Sequence, residues 1–129
     1  MLSFTGRYKE HTVRLDALAV GRDINVVISG GDVPHIGGVA MSVYGPDLHQ
    51  SERMTSTEQM LSVQGHKEAE LAKDVARQLA RRYSCTVAVA CGIHVDGAAP
   101  EDIAGILEVV QSLVEKLKDS RSGRDFGGY

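Results

Sequence analysis

Three histidines stand where the chain turns between elements. His35 lies in "SGGDVPHIGG", with Gly30 and Gly31 before it, Gly37 and Gly38 after it, and Pro34 immediately ahead. His66 opens the segment "GHKEAELAK", and His94 closes the apolar run "CTVAVACGIHV". Neutral imidazole is a common ligand for zinc, iron or nickel, and three such groups leave coordination positions open for a further ligand. Glycines let a backbone come close to a bound group, and exposed N–H groups in such a loop can cradle a phosphate. Lys67, beside His66 at a helix start, is placed to meet an anion.

Each of these features also has a plainer reading. A glycine-rich segment between strands is often only a turn, and a lone histidine is more often a surface or capping residue than a ligand. No compact HxxxH or CxxC pair is present, so the metal signal is spread along the chain. The glycine segment lacks the terminal GK[ST] of a Walker loop and is not a GxGxxG fingerprint. Asp96 is a candidate partner for an imidazole or a cap, while Cys91 reads as a buried structural thiol.

The elements that would position these residues follow from hydrophobic period. "HTVRLDALAV" (11–20), "DINVVIS" (23–29) and "IGGVAMSVY" (36–44) run in strand fashion, and a weaker strand covers 54–63. "GPDLHQSER" (45–53) reads as a loop. Ala72, Val75, Ala76, Leu79, Ala80 and Tyr83 recur at helical spacing, with Glu68 and Glu70 before them and Arg81 and Arg82 at the end to complement the dipole. The Cys85–Val95 run reads as a strand buried on both faces. Pro100 then opens a second helix with Ile103, Ile106, Leu107, Val110, Leu113, Val114 and Leu117 on one stripe. The order β-β-β-β-α-β-α predicts a single α+β domain over 1–118. It has a largely antiparallel sheet, two helices on one face, and a mobile tail at 119–129. Strand parity predicts a bulky sheet face for the helices, carrying Val39, Met41, Val43, Val87, Val89, Cys91 and Ile93. The opposite face is of small residues and open to a second copy of the chain.

Composition narrows the classes of partner. A net charge of −3 and 5% aromatic content give neither a nucleic-acid footprint nor a base-stacking platform. No apolar run reaches the roughly 20 residues that span a bilayer, and the opening "MLSFTGRYKEH" lacks the apolar core of a signal peptide. Cys85 and Cys91 share one strand and one face about 20 Å apart, beyond the reach of a disulfide. The cytoplasm is the expected compartment.

The strings "ISGGDVPHIGGV", "GHKEAELAKDVARQLAR" and "VACGIHVDGAAPEDI" resemble the signature blocks of one small family, in order, over residues 23–115. It is the family of LpdD-like proteins that accompany UbiD-type decarboxylases of gallate and other hydroxyarylic acids. The resemblance implies a metal-binding chaperone that holds prenylated flavin mononucleotide and helps deliver it to the decarboxylase, without catalysing the reaction itself. Carried over, His35, His66 and His94 would be ligands of a divalent transition metal such as iron or zinc. Gly30, Gly31, Gly37, Gly38 and Lys67 would surround the metal or the flavin phosphate. Residues 39–64 match nothing in the family's signature blocks. The residues themselves leave two alternatives open. One is a small metal-dependent enzyme with Asp32 or Asp96 as general base; the other is a non-catalytic subunit that docks on a decarboxylase.

Overall fold

The computed structural model describes residues 1–46, 53–63 and 68–120, so His66, Lys67 and the chain from 121 onward lie outside the description. The expected tail therefore falls almost wholly outside it, and the expected loop at 45–53 falls mostly outside it.

Strands β1 (Leu2–Tyr8), β2 (His11–Val20) and β3 (Asp23–Gly31) form an antiparallel meander. The turn between β1 and β2 places Lys9 at φ 52°, and the turn between β2 and β3 places Gly21 at φ 61°, a conformation that suits glycine without strain. Strand β4 (Gly38–Pro46) pairs with β5 (Met54–Ser62) as a second antiparallel hairpin. Helix α1 (Glu68–Tyr83) then returns the chain to β6 (Thr86–His94), and α2 (Pro100–Asp119) follows. Strand β6 inserts between the two antiparallel units, parallel to β3 and antiparallel to β4, giving the order β1-β2-β3-β6-β4-β5. The α+β class, the helices on one face and the largely antiparallel sheet are as expected from the sequence.

Strand β1 is the element that sequence reading passed over. Leu2, Phe4, Gly6 and Tyr8 alternate with exposed Ser3, Thr5 and Arg7 and rest half-buried under α2. Val109 of α2 occupies the space a side chain on Gly6 would need.

The core lies between the sheet and the helices. Val13, Leu15 and Ala17 of β2, Ile24, Val26 and Ile28 of β3, and Val87, Val89 and Cys91 of β6 point inward in register. Helix α1 meets them with Ala72, Val75, Ala76 and Leu79, and α2 with Val110, Leu113, Val114 and Leu117. Parity fails in β4. Its inward residues are the small ones, Gly38, Ala40 and Ser42, while Val39, Met41 and Val43 stand on the helix-free face at 38–44% exposure. Pairing with β6 sets this: Ala40 opposes inward Val89, and Met41 opposes outward Ala88. Small residues suit this side because α1 lies close to the strand, and a Cβ on Gly38 would meet the Ala69 backbone. The helix-free face thus carries Val39, Met41 and Val43 of β4 beside the small outward residues Ala88 and Ala90 of β6, so the small-residue expectation holds in β6 and fails in β4.

Polar groups at the margins are paired. Buried Ser42 donates to Glu58 Oε2 at 3.0 Å, and Arg77 donates to Glu58 Oε1 through Nε at 3.1 Å and Nη2 at 3.0 Å. Burial works to raise the Glu58 carboxyl, but the hydrogen bonds from Ser56, Arg77 and Ser42 outweigh it, leaving the group below its ordinary value. At the start of α2, Asp102 accepts the Ala99 N–H at 3.0 Å, the Tyr8 hydroxyl at 2.8 Å and Lys9 Nζ at 2.9 Å. The Ala99 bond first, then Lys9 and Tyr8, hold its carboxyl far below the usual carboxylate range. A carboxylate depressed by folding stabilises the fold above its unfolded value, about 4, and loses that contribution as pH falls below it. Denaturant midpoints measured from pH 7 to pH 3 are therefore expected to drop below about pH 4. Asp102→Asn should lower the midpoint at pH 7 and make the acid decline shallower.

Candidate functional site

The parallel pairing of β3 with β6 brings Gly31 opposite His94, so the loop after β3 leaves the sheet beside the end of β6. Residue Asp32 fastens the two chain segments. Its N–H donates to the His94 carbonyl at 2.6 Å, and its Oδ2 accepts the Asp96 N–H at 2.9 Å. The other carboxylate oxygen lies 3.3 Å from His11 Nδ1. The loop then crosses over β6. Gly37 donates its N–H to Cys91 O at 2.9 Å, and the His35 carbonyl sits where a side chain on Gly92 would be.

This crossing brings two of the three expected histidines together. The rings of His35 and His94 lie 6.4 Å apart between centroids and meet edge-on at 73°. His35 Nε2 donates to Glu68 Oε1 at 3.1 Å, and its Nδ1 faces the Val33 carbonyl at 2.9 Å. His94 Nε2 donates to Asp96 Oδ1 at 2.8 Å. The third histidine, His66, lies outside the described residues, as does Lys67.

A metal ligand must aim a nitrogen lone pair at the ion. His94 meets that requirement through Nδ1, with Asp96 on the other nitrogen as an orienting carboxylate. His35 does not meet it as placed, because both of its nitrogens face oxygen acceptors. Metal–nitrogen bonds of about 2.0–2.1 Å in a tetrahedral site would also draw the two ring centres to about 5 Å. Among the described residues, no three histidine, cysteine, aspartate or glutamate side chains are grouped so as to hold a metal ion.

The four bracketing glycines each fill a packing need. Gly30, at φ +157°, lies against the Thr12 carbonyl, and Gly31, at φ +79°, lies against that of His94. Gly37 abuts the Glu68 carboxylate and Gly38 the Ala69 backbone. Neither Glu68 nor His11 was singled out for the site by sequence reasoning. Each reaches it across the fold from a partner more than 20 residues away (Glu68 on His35, His11 on Asp32), so no local motif marks either one.

Beneath this edge, Cys91 is fully buried. Burial, with a smaller push from the Glu68 charge, raises its thiol to about 12. The folded protein at pH 8 should alkylate at Cys91 far more slowly than the unfolded chain, because the thiol is both buried and held protonated. Peptide mapping after iodoacetamide, with and without denaturant, measures this directly.

A cleft of about 670 Å³ opens from the same edge between α1 and α2. Ile93 and Val95 flank His94 at its floor, Leu71 belongs to the α1 wall, and Ile103, Leu107 and Val110 form the α2 wall. Glu68, Glu70 and Asp74 give the α1 side an acidic edge. The helices are tied together at their C-terminal ends, where Gln78 and Gln111 exchange amide hydrogen bonds at 3.0 Å and Tyr83 donates to Leu117 O at 3.0 Å. Toward their N-termini the cleft separates them. Its volume lies in the range of small-molecule pockets, about 300–1,000 Å³.

Among the described residues, no helix is long and apolar enough to cross a membrane. No curated protein sequence matches the chain significantly. Among solved structures, it is similar in fold to a chain titled "Crystal Structure of a Novel Chaperone Complex for Yeast 20S Proteasome Assembly". The TM-score is 0.51 at 10% identity, covering 88% of this chain and 99% of that one, a likeness of fold alone. The model of the prenylated flavin chaperone LpdD-like domain matches residues 7–122, which takes in every element from the end of β1 to α2 and the whole histidine edge. The chain belongs to the LpdD-like family of prenylated flavin chaperones.

Proposed function

We propose that this protein holds prenylated flavin mononucleotide at the His35–His94 edge and transfers it to the apo form of a UbiD-type decarboxylase in the cytoplasm. The observation that carries the reading is the coincidence of the family match with a ligand-sized cleft opening beside His94. Gly31 and Gly92 serve the site by letting the 32–37 loop lie directly on β6. Gly30, Gly37 and Gly38 shape the loop that carries His35, and Lys67 is the proposed contact for the flavin phosphate. No catalytic step is assigned to the chain: Asp32 holds the backbone of the site and Asp96 holds His94.

Metal ligation by His35, His66 and His94 is a second reading, favoured by the orienting His94–Asp96 pair. It requires His35 to exchange its bond with Glu68 for one to the ion. A homodimer formed through the helix-free face is part of the same proposal, supported by exposed Val27, Val39, Met41 and Val43. Light scattering on Met41→Asp against the parent protein tests it.

The deciding experiment mixes apo-decarboxylase with limiting prenylated flavin, with and without this protein, under anaerobic conditions. Faster or more complete activation in its presence is expected, and no difference would refute the chaperone role. Elemental analysis of the same preparation addresses the second reading. Near-stoichiometric metal lost in His94→Ala supports it, and metal-free protein that still activates the enzyme excludes it.

A further inference from the structure

Helix α2 carries an apolar stripe that the fold only partly uses. Ile106, Val110, Leu113, Val114 and Leu117 are buried, but Ile103 and Leu107 of the same helix remain 53% and 44% exposed. Both face the cleft. Helices α1 and α2 are tied together at their C-terminal ends by the Gln78–Gln111 and Tyr83–Leu117 bonds, and toward their N-termini the cleft leaves Ile103 and Leu107 uncovered. Opposite them stand Leu71 and the acidic edge of Glu68, Glu70 and Asp74.

An occupant must therefore offer a broad apolar face to α2 and no negative charge to α1. A carboxylate-lined edge repels a phosphate group, and an apolar wall favours groups that lose little by leaving water. Prenylated FMN divides in the same way: its fused ring system carries the added isoprenoid carbons, and its ribityl phosphate carries all the fixed negative charge. Resting on the proposed function, we infer that the cleft between α1 and α2 seats the prenylated ring system. Ile103 and Leu107 form its wall, and the phosphate is turned out of the cleft, away from Glu68, Glu70 and Asp74. His94, at the floor beside Ile93 and Val95, marks the end of the cleft where the cofactor passes into the histidine edge.

The test is an anaerobic binding titration of prenylated FMN and of its phosphate-free analogue against the full chain and Ile103→Gln/Leu107→Gln. Both positions are exposed enough for the variant to fold, and thermal unfolding checks that it does. Leu107→Trp, which fills the cleft without removing apolar surface, is the second variant. The double variant is expected to bind both ligands about tenfold or more weakly, by the same factor for each. Parental affinity in both variants would overturn the inference while leaving the proposed function standing, and would point to a partner protein's helix as the occupant. A loss confined to the phosphate-bearing ligand would overturn the orientation. Failure of the parent protein itself to bind would overturn the proposed function, and with it the inference.

Discussion

Replacing Gly92 with alanine is expected to destabilise the protein by about 3 kcal/mol or more, a large share of a small domain's stability. The added Cβ would meet the carbonyl oxygen and carbon of His35, which are backbone atoms and cannot swing aside as a side chain would. Relief requires the 32–37 loop to lift from β6. Lifting breaks the Gly37–Cys91 hydrogen bond and loosens the one between Asp32 and His94, and it carries the His35 ring away from Glu68. Stability and site should therefore fail together. Denaturant unfolding monitored by circular dichroism gives the first quantity, and prenylated flavin binding gives the second. A variant with parental stability and parental binding would show that the loop does not rest on β6. The comparison variant is Gly97→Ala, where φ is +65° but no atom lies within reach of a Cβ. Only the left-handed backbone opposes that change, so a cost of about 1 kcal/mol is expected.

The second large effect falls on function and spares the fold. His35→Ala and His94→Ala remove side chains that are 19% and 48% exposed; the His94–Asp96 bond is exposed, and the His35–Glu68 bond is half-buried. His94→Ala should cost about 1 kcal/mol of stability or less, and His35→Ala, which takes a donor from the half-buried Glu68 carboxylate, about 1–2 kcal/mol. If the edge holds the cofactor, each should weaken prenylated flavin binding by about tenfold, and the double variant by about a hundredfold. Glu68→Gln separates positioning from contact. It keeps a hydrogen-bonding group near His35 Nε2 but removes the charge, so binding should fall less than in His35→Ala. Flavin fluorescence or absorbance titration reads all four proteins, and equal affinities throughout would remove the histidines from the site.

The contrast between these residues shows what was legible in the chain. Helix α1 and strands β2, β3 and β6 follow from local period, because each buries one face against the same core. Strand β1 carried the same alternation in Leu2, Phe4, Gly6 and Tyr8, but only half-buried and interrupted by a glycine, so it was weak to the eye. In β4, bulk pointed the wrong way. Register with β6 and the close approach of α1 at Gly38 turned the larger side chains outward, and neither condition is written in the strand's own residues. The meeting of His35 with His94 depends on a parallel pairing between strands more than 50 residues apart. Their chemistry could be suspected from type and place in the turn, but not their distance. Glu68 read only as a helix-dipole residue, and His11 carried no signal at all. The glycines were singled out for ligand approach, and their backbone and carboxylate neighbours could be known only once the strands and α1 were in place. The cleft was hidden for a related reason: Ile103 and Leu107 continue the helical stripe of α2 and look like core until the position of α1 is known.

The most direct test of the account is equilibrium binding of prenylated FMN to the purified protein under anaerobic conditions, with unmodified FMN in parallel. Saturable binding of the prenylated cofactor at one per chain or one per dimer, tighter than for FMN, is the predicted result. No binding of the prenylated cofactor, or equal affinity for the two flavins with no dependence on His94, would contradict it.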